Sequence, residues 1–212
     1  MAIYLDSALI TEALAVQKLG WVKGITTNPT LLAKSDLSPE ATLQRLAEIS
    51  PGVLYYQLMA SDVAGMLVEG RKAFEIIGEK TVLKIPATPV GFQAVACLSG
   101  EINCAVTAIY SAAQAAVARE AGAQYAIAYV NRATRLLGDG LALVREMSAV
   151  LQGSNTEILA ASLKSPEEAA AALQAGANHL TVPLSLLQQM TTNEFSEQTV
   201  EDFANNGRGI LI

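Results

Sequence analysis

Short runs rich in Val, Ile, Thr, Tyr and Leu recur along the chain at 3–5, 24–27, 53–58, 81–85, 104–109, 125–130, 157–161 and 179–182. Each is too short for a buried helix, and together they predict eight strands. Between them, segments such as 62–77, 111–121, 140–151 and 166–175 repeat Ala, Leu, Val and Met at helical spacing. Ser38-Pro39 and Ser165-Pro166, each followed by acidic residues, read as helix starts, and Gly122 and Gly176 read as helix stops. A weak internal repeat supports the unit: AGAQYAIAYV from Ala121 resembles AGANHLTVPL from Ala175, each a helix end running straight into a strand.

Strict alternation of strand and helix implies parallel strands joined by right-handed crossovers, and eight of them favour closure into a (β/α)8 TIM barrel. The expected organisation is one domain over 1–212, with an extra C-terminal helix at about 196–206. An open dinucleotide-binding sheet fits less well, because no G-x-G-x-x-G follows the first strand.

With 51% hydrophobic and 16% charged residues the chain can bury a large core, and no linker-like stretch divides it. The net charge of −6 comes without a basic stripe, which argues against nucleic acid and anionic membranes as partners. No apolar run reaches the roughly 18 residues of a bilayer span, and MAIYLDSALI lacks the features of a signal peptide; the expectation is a cytoplasmic protein. Cys97 and Cys104 have no C-x-x-C partner and no nearby histidine, so both are expected to be buried free thiols rather than metal ligands.

In such a barrel the active site lies at the carboxyl ends of the strands. Taking Lys84 as inward-facing, period-two alternation brings Asp6, Thr26, Asn28, Gln57, Thr107, Tyr129 and Ser162 to the same mouth. The eighth strand, HLTVP, supplies no such residue in this reading, and His179 opens it at the opposite end as a structural residue. Taken singly, Asp6, Thr26, Asn28 and Ser162 could cap the following helices, Thr107 and Gln57 could be ordinary strand residues, and Tyr129 could be core. Their convergence favours a site.

Lys84 carries the sharpest signal. An ammonium within TVLKIP would leave water on a strand covered on both faces, at a cost of several kcal/mol unless paired or neutralised. The neutral amine is the form that attacks a ketone to make a Schiff base. Three roles remain open from the residues alone: Schiff-base former, phosphate-binding cation, or partner of Asp6 in an ion pair.

The segments LDSA (5–8), GITTNPTLLAKS (24–35), VLKIPAT (82–88), TAIYSAAQ (107–114), YVNR (129–132), AASLKS (160–165) and HLTVPL (179–184) resemble the small transaldolase and fructose-6-phosphate aldolase family in order and approximate spacing. The resemblance covers nearly the whole chain, and TTNP with KIPAT is its most specific part. It implies a (β/α)8 barrel whose Lys84 forms a Schiff base with a ketose, while Asp6 handles the proton of the hydroxyl at the breaking carbon–carbon bond. Asn28 and Ser162 would bind substrate hydroxyls, and Thr26 would shape the floor. Gln57, Thr107 and Tyr129 would hold a proton-carrying water. Arg132, with Ser162 near and Lys164 assisting, would bind the substrate phosphate; Arg135 is a weaker candidate. The iminium itself is the electron sink, so no metal or organic cofactor is implied.

Within the family, Gln57 with Tyr129 resembles the aldolases, which release dihydroxyacetone from fructose 6-phosphate along with glyceraldehyde 3-phosphate. Transaldolases, which pass that unit between sugar phosphates of the pentose phosphate pathway, have Glu and Phe there. Ala133-Thr134 after YVNR and Pro89-Val90 after KIPAT depart from the usual pattern. The resemblance also implies a homo-oligomer, a pentamer or decamer in which the C-terminal helix crosses to a neighbour, although the NNGRGILI tail departs from the family's.

Overall fold

A computed structural model describes residues 1–210, so the last two residues of NNGRGILI lie outside it. Eight strands, β1 (Ala2–Asp6), β2 (Gly24–Thr26), β3 (Val53–Gln57), β4 (Thr81–Pro86), β5 (Asn103–Ile109), β6 (Tyr125–Tyr129), β7 (Glu157–Ala161) and β8 (His179–Val182), close into one barrel in sequence order. Every neighbouring pair is parallel, and β8 returns to β1 with Ala2 beside His179 and Leu5 beside Val182. This is the expected (β/α)8 barrel.

Alternation along each strand divides the core in two. Leu5, Ile25, Leu54, Leu83, Val106, Ile158 and Leu180 face outward against the helices in one continuous cluster. Tyr4, Tyr55, Val82, Ala105, Ile127, Leu159 and Ala161 fill the lumen. With both faces of β4 buried, its sequence reads as an almost unbroken apolar run. In the lumen, the ring of Tyr55 lies 5.5 Å from those of Tyr4 and Tyr125. Burial pushes the Tyr4 hydroxyl up to about 12 and that of Tyr55 well above its usual range, so these two stay neutral.

The sequence repeat has a physical basis. After Ala121 and Ala175 the helices end on left-handed Gly122 and Gly176, with φ of +89° and +110°. Ala123 N then donates to Ala118 O, and Ala177 N to Ala172 O. The next side chains act alike: Gln124 Oε1 accepts from Cys104 N at 2.6 Å, and Asn178 Oδ1 accepts from Ile158 N at 2.7 Å. Each repeat thus stops a helix and stitches the new strand to its neighbour's first residues.

Several boundaries differ from expectation. β6 ends at Tyr129, because a helix, Val130–Leu137, begins without a loop. The C-terminal helix starts earlier, at Glu194, since Asn193 Oδ1 accepts from Phe195 N and Ser196 N. Cys104 is buried, but Cys97 is exposed. On helix Pro89–Leu98 the buried positions are Gly91, Ala94, Val95 and Leu98, which leaves Cys97 on the outer face. Among the described residues, no helix is long and apolar enough to cross a membrane.

His179 lies at the amino end of β8, as expected, and locks the closing seam. Its Nδ1 accepts from Ala2 N at 2.9 Å, so the neutral ring carries its hydrogen on Nε2, which donates to Glu157 Oε2 at 2.8 Å. Replacing His179 with Phe keeps a planar ring and removes both bonds. The expected loss is about 2 kcal/mol, or a Tm lower by roughly 4–8 °C for a chain of this size, with KM unchanged, as calorimetry and steady-state kinetics would record.

Candidate active site

The closed ladder gathers the carboxyl ends of the strands at one mouth. Register places Asp6 beside Thr26, Gln57 beside Lys84, and Pro86 beside Thr107. Lys84, only 3% exposed, sends Nζ to the carbonyl oxygen of Thr27 at 2.9 Å. That carbonyl belongs to a residue pinned at both its donors: Thr27 N and Oγ1 both donate to Tyr55 O, at 3.1 and 2.7 Å. No carboxylate pairs with Lys84 among the described residues, so the ion pair with Asp6 left open by the sequence does not form.

Asp6 looks elsewhere. Its Oδ1 accepts from Thr26 Oγ1 at 2.8 Å, and Thr26 Oγ1 lies 2.6 Å from Thr181 Oγ1. Neither Asp6 nor Thr26 caps a helix. Asn28 does, through Oδ1 accepting from Leu31 N at 2.9 Å at the start of the short helix Pro29–Leu32, which leaves its amide nitrogen as a donor. Across the mouth, Thr107 Oγ1 donates to the Tyr129 hydroxyl at 2.9 Å. The half-buried Tyr129 ring lies under Arg132, whose Cζ is 5.1 Å from its centroid. Arg132 stands exposed in the first turn of helix Val130–Leu137, not in a loop.

The barrel rim is re-aimed at two places. Ala108 and Ser162 have φ of 59° and 60°, the left-handed region that costs a non-glycine residue about 1–2 kcal/mol. Ala108 sits in a register shift of β5 against β6, immediately after Thr107. Ser162 requires a correction to the simple alternation. Leu159 and Ala161 both line the lumen, so an unbroken strand would turn Ser162 outward. The left-handed residue ends the strand there, and Ser162 O accepts from Asn131 N at 3.2 Å, tying the end of β7 to the helix that carries Arg132. Lys164 is exposed two residues on, its backbone N–H donating to Glu168 Oε2 at 2.6 Å.

Two contributors escaped the sequence reading. β8 does supply an inward polar group: Thr181, beside inward Tyr4 and 3% exposed. Inspecting only strand-terminal residues passed over it, although it shares the face of His179 two positions earlier. The other is Glu69, whose carboxylate accepts from Tyr56 Oη at 2.7 Å, from Met59 N at 2.9 Å and from Ala60 N at 2.8 Å. It thereby fixes the loop that follows Gln57. Sequence alone shows it as one more acidic position on a helix.

A polar groove of about 710 Å³, lined by Arg145, Ser148, Asn155 and Asn178 among others, opens at the amino-terminal end of β7 and contains none of the converging residues. A smaller hollow of about 390 Å³ between Leu37, Pro39, Tyr56 and Met59 reaches the rim at Gln57. The described residues contain no group of three or more His, Cys, Asp or Glu able to hold a metal ion.

Comparison with known proteins follows the same lines. The family model described as Transaldolase/Fructose-6-phosphate aldolase matches residues 3–208. A probable transaldolase of Heliobacterium modesticaldum is 35% identical over 213 residues, covering 99% of each chain. A probable transaldolase of Kosmotoga olearia is 34% identical over 209 residues, covering 97% of this chain and 95% of the relative. Among solved structures, a mandelate oxidase variant superposes with a TM-score of 0.63 at 19% identity, over 94% of this chain and 71% of the other, a likeness of fold alone. Family match, barrel and full-length relatives agree, and the chain belongs to the transaldolase/fructose-6-phosphate aldolase family of enzymes.

Proposed function

We propose that this enzyme is a class I aldolase that cleaves and forms fructose 6-phosphate from dihydroxyacetone and glyceraldehyde 3-phosphate through a Schiff base on Lys84. The observation that carries the reading is the amine itself: buried at the mouth, unpaired with any described carboxylate, and aimed by a single carbonyl. In its neutral form the amine adds to the ketose carbonyl, and loss of water gives an iminium. Asp6 accepts the proton of the substrate hydroxyl as the carbon–carbon bond breaks, the aldehyde leaves, and the electron pair passes into an enamine on Lys84. Gln57, Thr107 and Tyr129 hold the water that carries protons to and from these intermediates. Asn28 and Ser162 bind hydroxyls of the sugar, Thr26 shapes the floor beneath it, and Arg132 with Lys164 receives the phosphate.

The presence of a phenolic oxygen at Tyr129, held by a 2.9 Å bond from Thr107, supports the aldolase over the transaldolase. Protonation of the enamine followed by hydrolysis then frees dihydroxyacetone. The names of the relatives favour the second reading, transfer of the same fragment to an acceptor aldose phosphate. Both share Lys84 and differ in the fate of the enamine. A cytoplasmic homo-oligomer fits the reading: the C-terminal helix buries none of its residues and exposes Phe195, Val200 and Phe203, an apolar set suited to a neighbouring subunit.

Borohydride reduction in the presence of dihydroxyacetone should place a covalent adduct on Lys84, located by peptide mass spectrometry, and Lys84→Met should abolish both adduct and turnover while the barrel stays folded. An adduct on Lys164 instead would overturn the mechanism.

For the phosphate, Arg132→Ala should raise KM for phosphorylated substrates at least tenfold while sparing unphosphorylated aldehyde acceptors. Parallel losses on both kinds of substrate would remove Arg132 from that role.

The fate of the enamine is read from Tyr129→Phe, assayed by glyceraldehyde 3-phosphate formation with and without erythrose 4-phosphate. Free cleavage should slow more than transfer, and adding Gln57→Glu should restore transfer without restoring release. A wild-type enzyme that already requires the acceptor would establish the transaldolase reading instead.

A further inference from the structure

We infer that Thr181 is a positioning residue for Asp6, acting through the hydroxyl of Thr26 to hold the carboxylate as a proton acceptor; this rests on the aldolase reading, in which Asp6 receives the substrate proton. The number of available hydrogens sets the direction of the hydrogen-bond chain. An ionised carboxylate only accepts, and each threonine hydroxyl carries one hydrogen. Thr26 gives its hydrogen to Asp6 Oδ1 at 2.8 Å. The 2.6 Å contact between Thr26 and Thr181 must then be filled by the hydrogen of Thr181, which sets the order Thr181 to Thr26 to Asp6.

Burial makes the order matter. Thr26 is 0% and Thr181 3% exposed, so water does not compete for either hydroxyl. In a chain of this kind each donation polarises the next, and the last bond, to a charged acceptor, is the strong one. The chain also bridges β8 and β2, the strands on either side of β1. It therefore fixes the oxygen of Asp6 from a point that touches no substrate. Without the Thr181 hydroxyl, Thr26 keeps its place in the floor but loses the donor that fixes the direction of its own hydrogen.

The step affected is carbon–carbon cleavage and not Schiff-base formation, because Asp6 serves only the former. The test compares Thr181→Val, which keeps the shape and removes the hydroxyl, with Thr181→Ser, which keeps the hydroxyl. For each, one measures the rate of borohydride-trapped adduct formation with dihydroxyacetone and kcat for cleavage of fructose 6-phosphate. Thr181→Val should form the adduct at the wild-type rate and cleave about tenfold more slowly, with KM within twofold. Thr181→Ser should cleave within about twofold of wild type. In an Asp6→Asn background, Thr181→Val should add no further loss, because the group it positions is gone.

Cleavage by Thr181→Val at the wild-type rate overturns the inference. So does an equal slowing of adduct formation and cleavage, or a Thr181→Ser variant as slow as Thr181→Val, since either marks a packing role. A wild-type enzyme that forms no lysine adduct overturns the underlying aldolase reading, and the inference with it.

Discussion

The gathering of polar groups at the mouth depends on the closed ladder of eight parallel strands, because a ladder that slips by one residue exchanges the two faces of a strand. In β4 such a slip would turn Lys84 toward the helices and bring Leu83 or Ile85 into the lumen. Closure forbids it. The register is held around the whole circle, at the seam by His179 and within the repeats by Gln124 and Asn178. These groups lie at the amino-terminal end of the barrel, so the end opposite the candidate site fixes the register on which that site depends.

The register brings polar groups together, but hydrogen-bond accounting distinguishes them. Lys84 meets a carbonyl, which accepts from an amine and gives it no opposite charge. Asp6 meets a single hydroxyl donor, Thr26, and no cation among the described residues. Had the two paired, the amine would be held as an ammonium and the carboxylate would be occupied, and neither could begin a nucleophilic addition or receive a proton. Separate partners leave the amine and the carboxylate free of each other, as the proposed roles of nucleophile and base require.

The fold was legible because both periodicities are clean. Period-two runs marked every strand to within a residue or so, and Ser-Pro and Gly signals marked helix ends that the structure caps with Ser38, Ser165, Gly122 and Gly176. Within the site, Lys84 was legible for a physical reason, since few structural demands retain a lysine in TVLKIP. Relationships between strands were not legible. Thr181 looks like an ordinary β-branched residue until Thr26 is seen 2.6 Å away, and 155 positions separate them in sequence. Ser162 was assigned to the mouth by taking Ala161 as outward, whereas Ala161 lines the lumen and the left-handed Ser162 ends the strand. Cys97 was read as buried because it lies in an apolar segment, whereas the face of the helix decides exposure.

The rim shows how the barrel exceeds what alternation permits. A regular strand offers the mouth a side chain at every second position, which is too sparse a pattern to surround a small substrate. The left-handed residues at Ala108 and Ser162 break the pattern on β5 and β7, the strands that flank β6. Between them Tyr129 has its oxygen bonded to Thr107 and its ring beneath the guanidinium of Arg132. One side chain therefore connects Thr107, in the proposed proton-handling group, to Arg132, the proposed phosphate cation. A phenylalanine there would keep the ring under Arg132 and lose only the oxygen. Under the proposed mechanism, release of the three-carbon fragment and its transfer to an acceptor differ by very little structure. In the proposed mechanism the barrel, Lys84 and Asp6 serve both outcomes, and the choice turns on whether the Tyr129 hydroxyl, with the water held beside Gln57, delivers a proton before another aldehyde arrives.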